Sequence, residues 1–241
     1  MRRGKPVEFN VRKTRAIDDR IINYYDFTKK QEDHNPGYPI HLIKVPFRMI
    51  VVAATGGGKS NFLCELIHRM SDTFEEVIIC SRCRDEPLYD LLHDEIRGGV
   101  TFYENKIPNL DEFKENKKQR LICFDDLILS KSLNSEIGEY FLRSRKYKIS
   151  CVYLAQSYFE IPKFVRQQTN YVVIKKIQCN KDLKAIVREY SLGMDIDDFT
   201  RLHEDITNED TLGFLMLDLN NAKYRYRHNF VPLRVKNGVV I

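Results

Sequence analysis

Ala53-Ala54-Thr55-Gly56-Gly57-Gly58-Lys59-Ser60 decides the reading of this sequence. The apolar, β-branched run that leads into it, residues 48–55, reads as a strand, and residues 59–70 behind it show helical spacing. A glycine run between strand and helix, closed by Lys-Ser, is the pattern of a phosphate-binding loop. Three glycines let the backbone wrap closely around phosphate groups with its N–H bonds turned inward, and the helix adds the positive end of its dipole. Lys59 is then placed for the β- and γ-phosphates and the Ser60 hydroxyl for Mg²⁺, with Thr55, Gly56, Gly57, Gly58 and Asn61 completing the ATP-contacting set. Ala53 stands where the pattern's first glycine is usual.

Working outward, Arg120-Leu121-Ile122-Cys123-Phe124-Asp125-Asp126 is a second apolar run, and it ends in two carboxylates. Unpaired acids at the end of a buried strand are costly, so the pair calls for a cation and a reacting group. Asp125 is expected to hold Mg²⁺ and Asp126 to orient or deprotonate an attacking water. A third run, Cys151-Val152-Tyr153-Leu154-Ala155, ends in Gln156, whose amide can both donate and accept toward a γ-phosphate or the lytic water.

Apolar runs alternate with helical patterns through the rest of the chain. Strands are expected near 76–81, 100–103, 171–175 and 212–219, and helices near 88–96, 135–145 and 181–190. That alternation predicts an α/β fold, a mostly parallel central sheet flanked by helices on both faces. Residues 224–235 alternate polar and apolar side chains and read as an antiparallel edge addition. The expected division is a basic arm and helix over 1–38, in which Ile17, Ile21, Tyr24 and Tyr25 share a helical face, and one catalytic domain over 39–241, parted by the Asn35-Pro36-Gly37 turn signal.

Composition narrows the classes. In 241 residues, 43% hydrophobic and 30% charged, there is material for one well-packed core and no sign of a fibrous or disordered chain. The longest apolar runs fall far short of the roughly 20 residues of a membrane span, and Met1-Arg2-Arg3-Gly4-Lys5-Pro6 opens no secretory signal. Residues 1–15 carry six basic side chains and one acid, so the whole formal excess of +5 resides there. Such an arm favours polyanions. The six cysteines fall mostly inside apolar runs and read as free thiols; Cys80 and Cys83 have half of a zinc-knuckle spacing with no second pair. In a strand over 223–228, Lys223, Arg225 and Arg227 would share one face, a candidate stripe along a DNA backbone or simply the solvated face of an edge strand. Lys114, Lys117 and Lys118 form a second basic candidate.

Taken together these motifs resemble the FtsK/HerA superfamily of P-loop ATPases, and within it the genome-packaging ATPases of large double-stranded DNA viruses and virophages. The likeness runs from Phe47 to Val173 and rests on the glycine loop, Ile122-Cys123-Phe124-Asp125-Asp126-Leu127, Arg143-Ser144-Arg145-Lys146-Tyr147-Lys148-Ile149-Ser150, Leu154-Ala155-Gln156-Ser157 and Ile161-Pro162-Lys163-Phe164-Val165-Arg166. The resemblance implies a RecA-like sheet of the additional-strand type. It implies Arg145, with Arg143 as the fallback, as an arginine finger acting on the neighbouring subunit, and Arg166 as a contact to γ-phosphate or to the next subunit. It further implies ATP and Mg²⁺ as cofactors, a homo-oligomeric ring of five or six subunits, double-stranded DNA, and a capsid vertex or inner membrane protein as partners. The place of action would be the virion or the host cytoplasm. Two other functions remain open at this point: a P-loop kinase of a nucleotide or small molecule, and a non-catalytic ATP-binding assembly scaffold. Intact Lys59, Ser60, Asp125, Asp126 and Gln156 argue against the scaffold.

Overall fold

The computed structural model describes residues 33–241 except 97–98, 117, 128–130, 178, 191, 237–238 and 241. The basic arm and the helix expected around Ile17 to Tyr25 lie outside the described residues, as does Lys117.

Six parallel strands make the centre of the molecule: β1 (Arg48–Val52), β2 (Glu76–Ser81), β3 (Val100–Glu104), β4 (Arg120–Asp125), β5 (Ile149–Ala155) and β6 (Tyr171–Ile174). Antiparallel β7 (Leu215–Asp218), β8 (Tyr226–His228) and β9 (Val231–Pro232) extend the sheet, whose order is β3-β2-β4-β5-β1-β6-β7-β8-β9. Thus β5 lies between the glycine-loop strand β1 and the acid-bearing strand β4, the inserted strand that the resemblance implied. The edge addition expected over 224–235 is present as β8 and β9.

The central strands are apolar throughout because both faces are covered. Met49, Val51, Val77, Ile79, Leu121 and Cys123 alternate onto one face. They pack there against Phe62, Leu63 and Leu66 of α2 (Lys59–Arg69) and Tyr89 and Leu92 of α3 (Pro87–Glu95). Their neighbours Ile50, Val52, Ile78, Cys80, Ile122 and Phe124 turn to the other face. That face is closed by α4 (Lys131–Arg143), α5 (Lys163–Gln168), α6 (Asn180–Tyr190) and α7 (Ile196–Glu209). A short α1 (Tyr38–His41) precedes β1. Residues just ahead of it are tied to the core, since Asn35 donates to the Ile43 carbonyl at 2.9 Å and Gln119 donates to the His34 carbonyl. Among the described residues no helix is long and apolar enough to cross a membrane.

Helix α7 was not expected from the sequence. Its start is set by Asp195, whose side chain accepts from the Asp197 N–H at 2.8 Å, and Phe199, His203 and Ile206 form its buried stripe. The alternating acids around Ile196 obscure that stripe in a linear reading.

Candidate functional site

Parallel strands end at one edge of the sheet, and there β1, β4 and β5 deliver the glycine loop, the acid pair and Gln156 together. The loop leaves β1 through buried Ala53, whose N–H donates to the Ala155 carbonyl at 3.1 Å, so an alanine is accommodated where glycine is usual. Gly57 closes a turn by donating to the Ala54 carbonyl at 2.8 Å, and a Cβ there would sit 2.8 Å from that same oxygen. Gly58 has φ +78° and caps α2, a backbone conformation that a side chain would strain. Lys59, Ser60 and Asn61 follow in the first turn of α2.

Four side chains from three strand ends are linked in a chain of contacts. The Thr55 hydroxyl donates to Gln156 Oε1 at 2.9 Å, and Gln156 Nε2 donates to Asp126 Oδ2 at 3.2 Å. The same Asp126 oxygen pairs with Lys59 Nζ at 3.3 Å. Asp126 has φ +44°, in the left-handed region that non-glycine residues seldom adopt, so the turn that places its carboxylate is strained. Lys59 and Gln156 are therefore joined through Asp126.

Asp125 is held differently. Its Oδ2 accepts from the hydroxyl of Tyr89, which the sequence reading missed, while its buried Oδ1 has no hydrogen-bond partner among the described residues. Burial raises its pKa above the ordinary carboxylate value, opposed by the Tyr89 hydrogen bond. A buried carboxylate with one oxygen fixed and one orphaned fits a hard divalent cation, for which oxygen donors are the right chemistry. With the Ser60 hydroxyl, Asp125 is the group that would hold Mg²⁺. Tyr89 could have been suspected from its spacing with Leu92 on the buried stripe of α3, but nothing in a linear sequence pairs it with Asp125.

The three expected arginines are not at this edge. Arg143 ends α4, where it pairs with Glu139 at 2.9 Å, and Arg145 lies exposed in the following 3-10 turn (Ser144–Tyr147). Both precede β5, whose seven residues span about 20 Å before Gln156 is reached. Neither can serve its own loop. Arg166, in α5 ahead of β6, is likewise at the far edge, and its guanidinium pairs with Glu189 at 3.2 Å and covers the Tyr158 ring at 4.7 Å. A contact to its own γ-phosphate is excluded by that placement.

The basic stripe is corrected by the structure. Arg227 is 1% exposed, pairs with buried Asp218, and donates to the carbonyls of His41 at 3.1 Å and Leu42 at 3.2 Å. Tyr226 is buried on the opposite face, where it donates to the Leu192 carbonyl at 2.8 Å. Both faces of β8 are covered, so Arg227 holds the fold and cannot face DNA. Lys223 is exposed in the preceding turn and Arg225 is half-buried. Lys114 pairs with Asp111 at 2.8 Å.

Solved structures share this architecture. The genome packaging NTPase B204 of Sulfolobus turreted icosahedral virus 2, in complex with AMPPCP, is 14% identical, with a TM-score of 0.55 over 78% of this chain and 98% of that one. The B204 DNA-packaging ATPase from Sulfolobus turreted icosahedral virus gives 0.52 at 14% identity over the same shares. The cytoplasmic domain of the type VII secretion ATPase EccC of Thermomonospora curvata gives 0.53 at 10% identity, over 78% of this chain and 25% of that one. At such identities the likeness concerns the fold. No curated protein sequence matches significantly. The profile of the family described as Poxvirus A32 protein matches residues 39–209, well over half of the chain and the whole of the site just described, and the chain belongs to that family.

Proposed function

We propose that this ATPase drives double-stranded viral DNA into a preformed capsid, acting as a ring in which Arg145 of one subunit completes the phosphate site of the next. The observation that carries the reading is the split of the machinery between the two edges of the sheet. Loop, acids and Gln156 assemble at the carboxyl edge, whereas Arg145 is exposed at the amino edge, beyond reach of its own loop. A finger in that place is useful to a neighbour alone. The family membership and the likeness to solved genome packaging NTPases support the DNA substrate and a virion or host-cytoplasm setting.

In this reading nucleotide competes for Lys59. The lysine leaves Asp126 Oδ2 for the β- and γ-phosphates, and Asp126 is then free to orient a water and accept its proton, with Gln156 and Thr55 fixing the carboxylate's position. Mg²⁺, when bound through Ser60 and Asp125, supplies charge neutralisation at the phosphates. DNA contact falls to Lys223, Arg225 and the basic arm, through phosphates and without base readout.

The test is the hydrolysis rate against protein concentration, with and without double-stranded DNA. An arginine supplied in trans is worth about 10³ to 10⁵ in rate, so specific activity should climb steeply as rings form and rise again with DNA. Mixing Arg145→Ala subunits with Lys59→Ala subunits should restore part of the activity. Activity per subunit that is independent of concentration and DNA would refute the ring motor, and phosphorylation of an added nucleoside monophosphate would favour a kinase.

A further inference from the structure

Directly beside the glycine loop is a second lysine to which none of the motifs assigns a role. Lys175 follows β6, its N–H donates to the Val52 carbonyl at 2.9 Å, and its side chain is only 1% exposed. From there it reaches under the loop. A Cβ on Gly58 would meet Lys175 Cε at 3.2 Å and Nζ at 3.5 Å. The ammonium donates to the Leu212 carbonyl at 2.6 Å and lies 5.7 Å from the centre of the Phe214 ring.

An ammonium has three donors and one charge. Among the described residues no carboxylate forms an ion pair with it; Asp210, whose charge favours the ammonium, is exposed and uses its carboxylate to accept from the Leu212 N–H. A single carbonyl acceptor and the face of a ring 5.7 Å away return less than the hydration a buried cation gives up, so fold stability alone gives little reason for it. A multiply charged anion on the other side of Gly58 does give one. The loop is one backbone thick, so phosphates cradled by its N–H groups lie within several ångströms of Nζ, where the interior screens charge far less than water does.

We infer that Lys175 is a second cation of the nucleotide site, one that binds the polyphosphate through its charge from behind the loop while Lys59 binds it by direct contact. The inference rests on the nucleotide site described above. It separates two jobs: Lys59 must move between Asp126 and phosphate, whereas Lys175 stays fixed at Leu212 and contributes a constant field. Its preference is set by ligand charge, so triphosphate should gain most, diphosphate less and adenosine nothing.

Binding of fluorescent ATP and ADP, with competition by adenosine, should be measured for the wild type, Lys175→Met and Lys175→Gln, together with melting temperatures without and with nucleotide. Glutamine keeps a donor for Leu212 and loses the charge, so it isolates the field from the strut. Both variants should lose roughly tenfold or more in ATP affinity, less for ADP, with adenosine unchanged. Their melting temperature without nucleotide should equal or exceed the wild type's while the nucleotide-induced rise shrinks. Wild-type affinity in Lys175→Gln would overturn the inference and make Lys175 a strut, as would equal losses for ATP and adenosine, or failure of both variants to fold. Failure of the wild type itself to bind ATP would instead refute the nucleotide site.

Discussion

Asp126→Asn separates binding from chemistry in a way the geometry specifies. In the free protein Asp126 Oδ2 holds Lys59 Nζ at 3.3 Å, with side-chain exposures of 30% and 11%. Nucleotide must break that pair before the lysine can reach phosphate. A partly exposed pair is worth on the order of 1 kcal/mol after screening, so asparagine should tighten ATP binding about fivefold. The same change removes the proton acceptor, which should cost about 10²- to 10⁴-fold in turnover. Asparagine keeps an oxygen for the Gln156 amide, so the network and the fold should survive. Equilibrium titration with a fluorescent ATP analogue and single-turnover hydrolysis on the same preparation read the two effects. Lys59→Ala serves as the contrast, losing binding and turnover together. Weaker ATP binding in Asp126→Asn, comparable with Lys59→Ala, would refute the competition for Lys59.

Three further outcomes follow from the structure. Arg227→Ala leaves Asp218 buried without its partner and should cost about 3–5 kcal/mol in urea unfolding, whereas Lys223→Ala should leave stability unchanged; equal small effects would return Arg227 to the surface. Tyr89→Phe removes the donor to Asp125 Oδ2 while keeping the buried ring; it should cost about 1–3 kcal/mol of stability and weaken Mn²⁺ binding, read by electron paramagnetic resonance with a non-hydrolysable ATP analogue, about tenfold, and undiminished Mn²⁺ binding would refute the role of Tyr89 in positioning Asp125. Burial, reinforced by the charges of Arg227 and Arg69, lowers the pKa of His41 from 6.5 to about 4, so the unfolded chain takes up its proton first as pH falls. Stability should then drop by about 1.4 kcal/mol per pH unit between about 6.5 and 4, with no further loss from this group below that range, and His41→Asn should flatten the slope.

The site was legible in the sequence wherever one strand end met one loop. Asp125–Asp126 and Gln156 close apolar runs, and Ser60 follows one through the short glycine loop, so local order alone carries them to the same edge once the sheet is parallel. What stayed hidden depends on pairing between distant elements. Tyr89 reaches Asp125 across 36 positions, and Lys175 reaches Leu212 across 37. Arg227 stays hidden for a related reason: period-two alternation suggests one wet face, but β8 is flanked by β7 and β9 and capped by the His41–Leu42 backbone on one side and Leu192 on the other. Alternation marks faces without saying what covers them.

Strand β5 then acquires a role that composition would not suggest. All seven of its residues are buried, it is hydrogen-bonded to β1 and β4 along its length, and the site uses none of its side chains. Yet Gln156 follows one end and Arg145 precedes the other. In the proposed ring such a strand would set the spacing between a subunit's own phosphate site and the arginine it would offer its neighbour, and its close packing would keep that spacing from yielding under load. The consequence is that core substitutions at Val152 or Leu154, remote from phosphate, should impair the assembled ring more than nucleotide binding by a single subunit. Volume-reducing changes there loosen the connection between two sites, whereas the loop keeps supports that do not pass through β5: α2 behind it, and the Ala54 N–H on the Lys176 carbonyl at 3.2 Å.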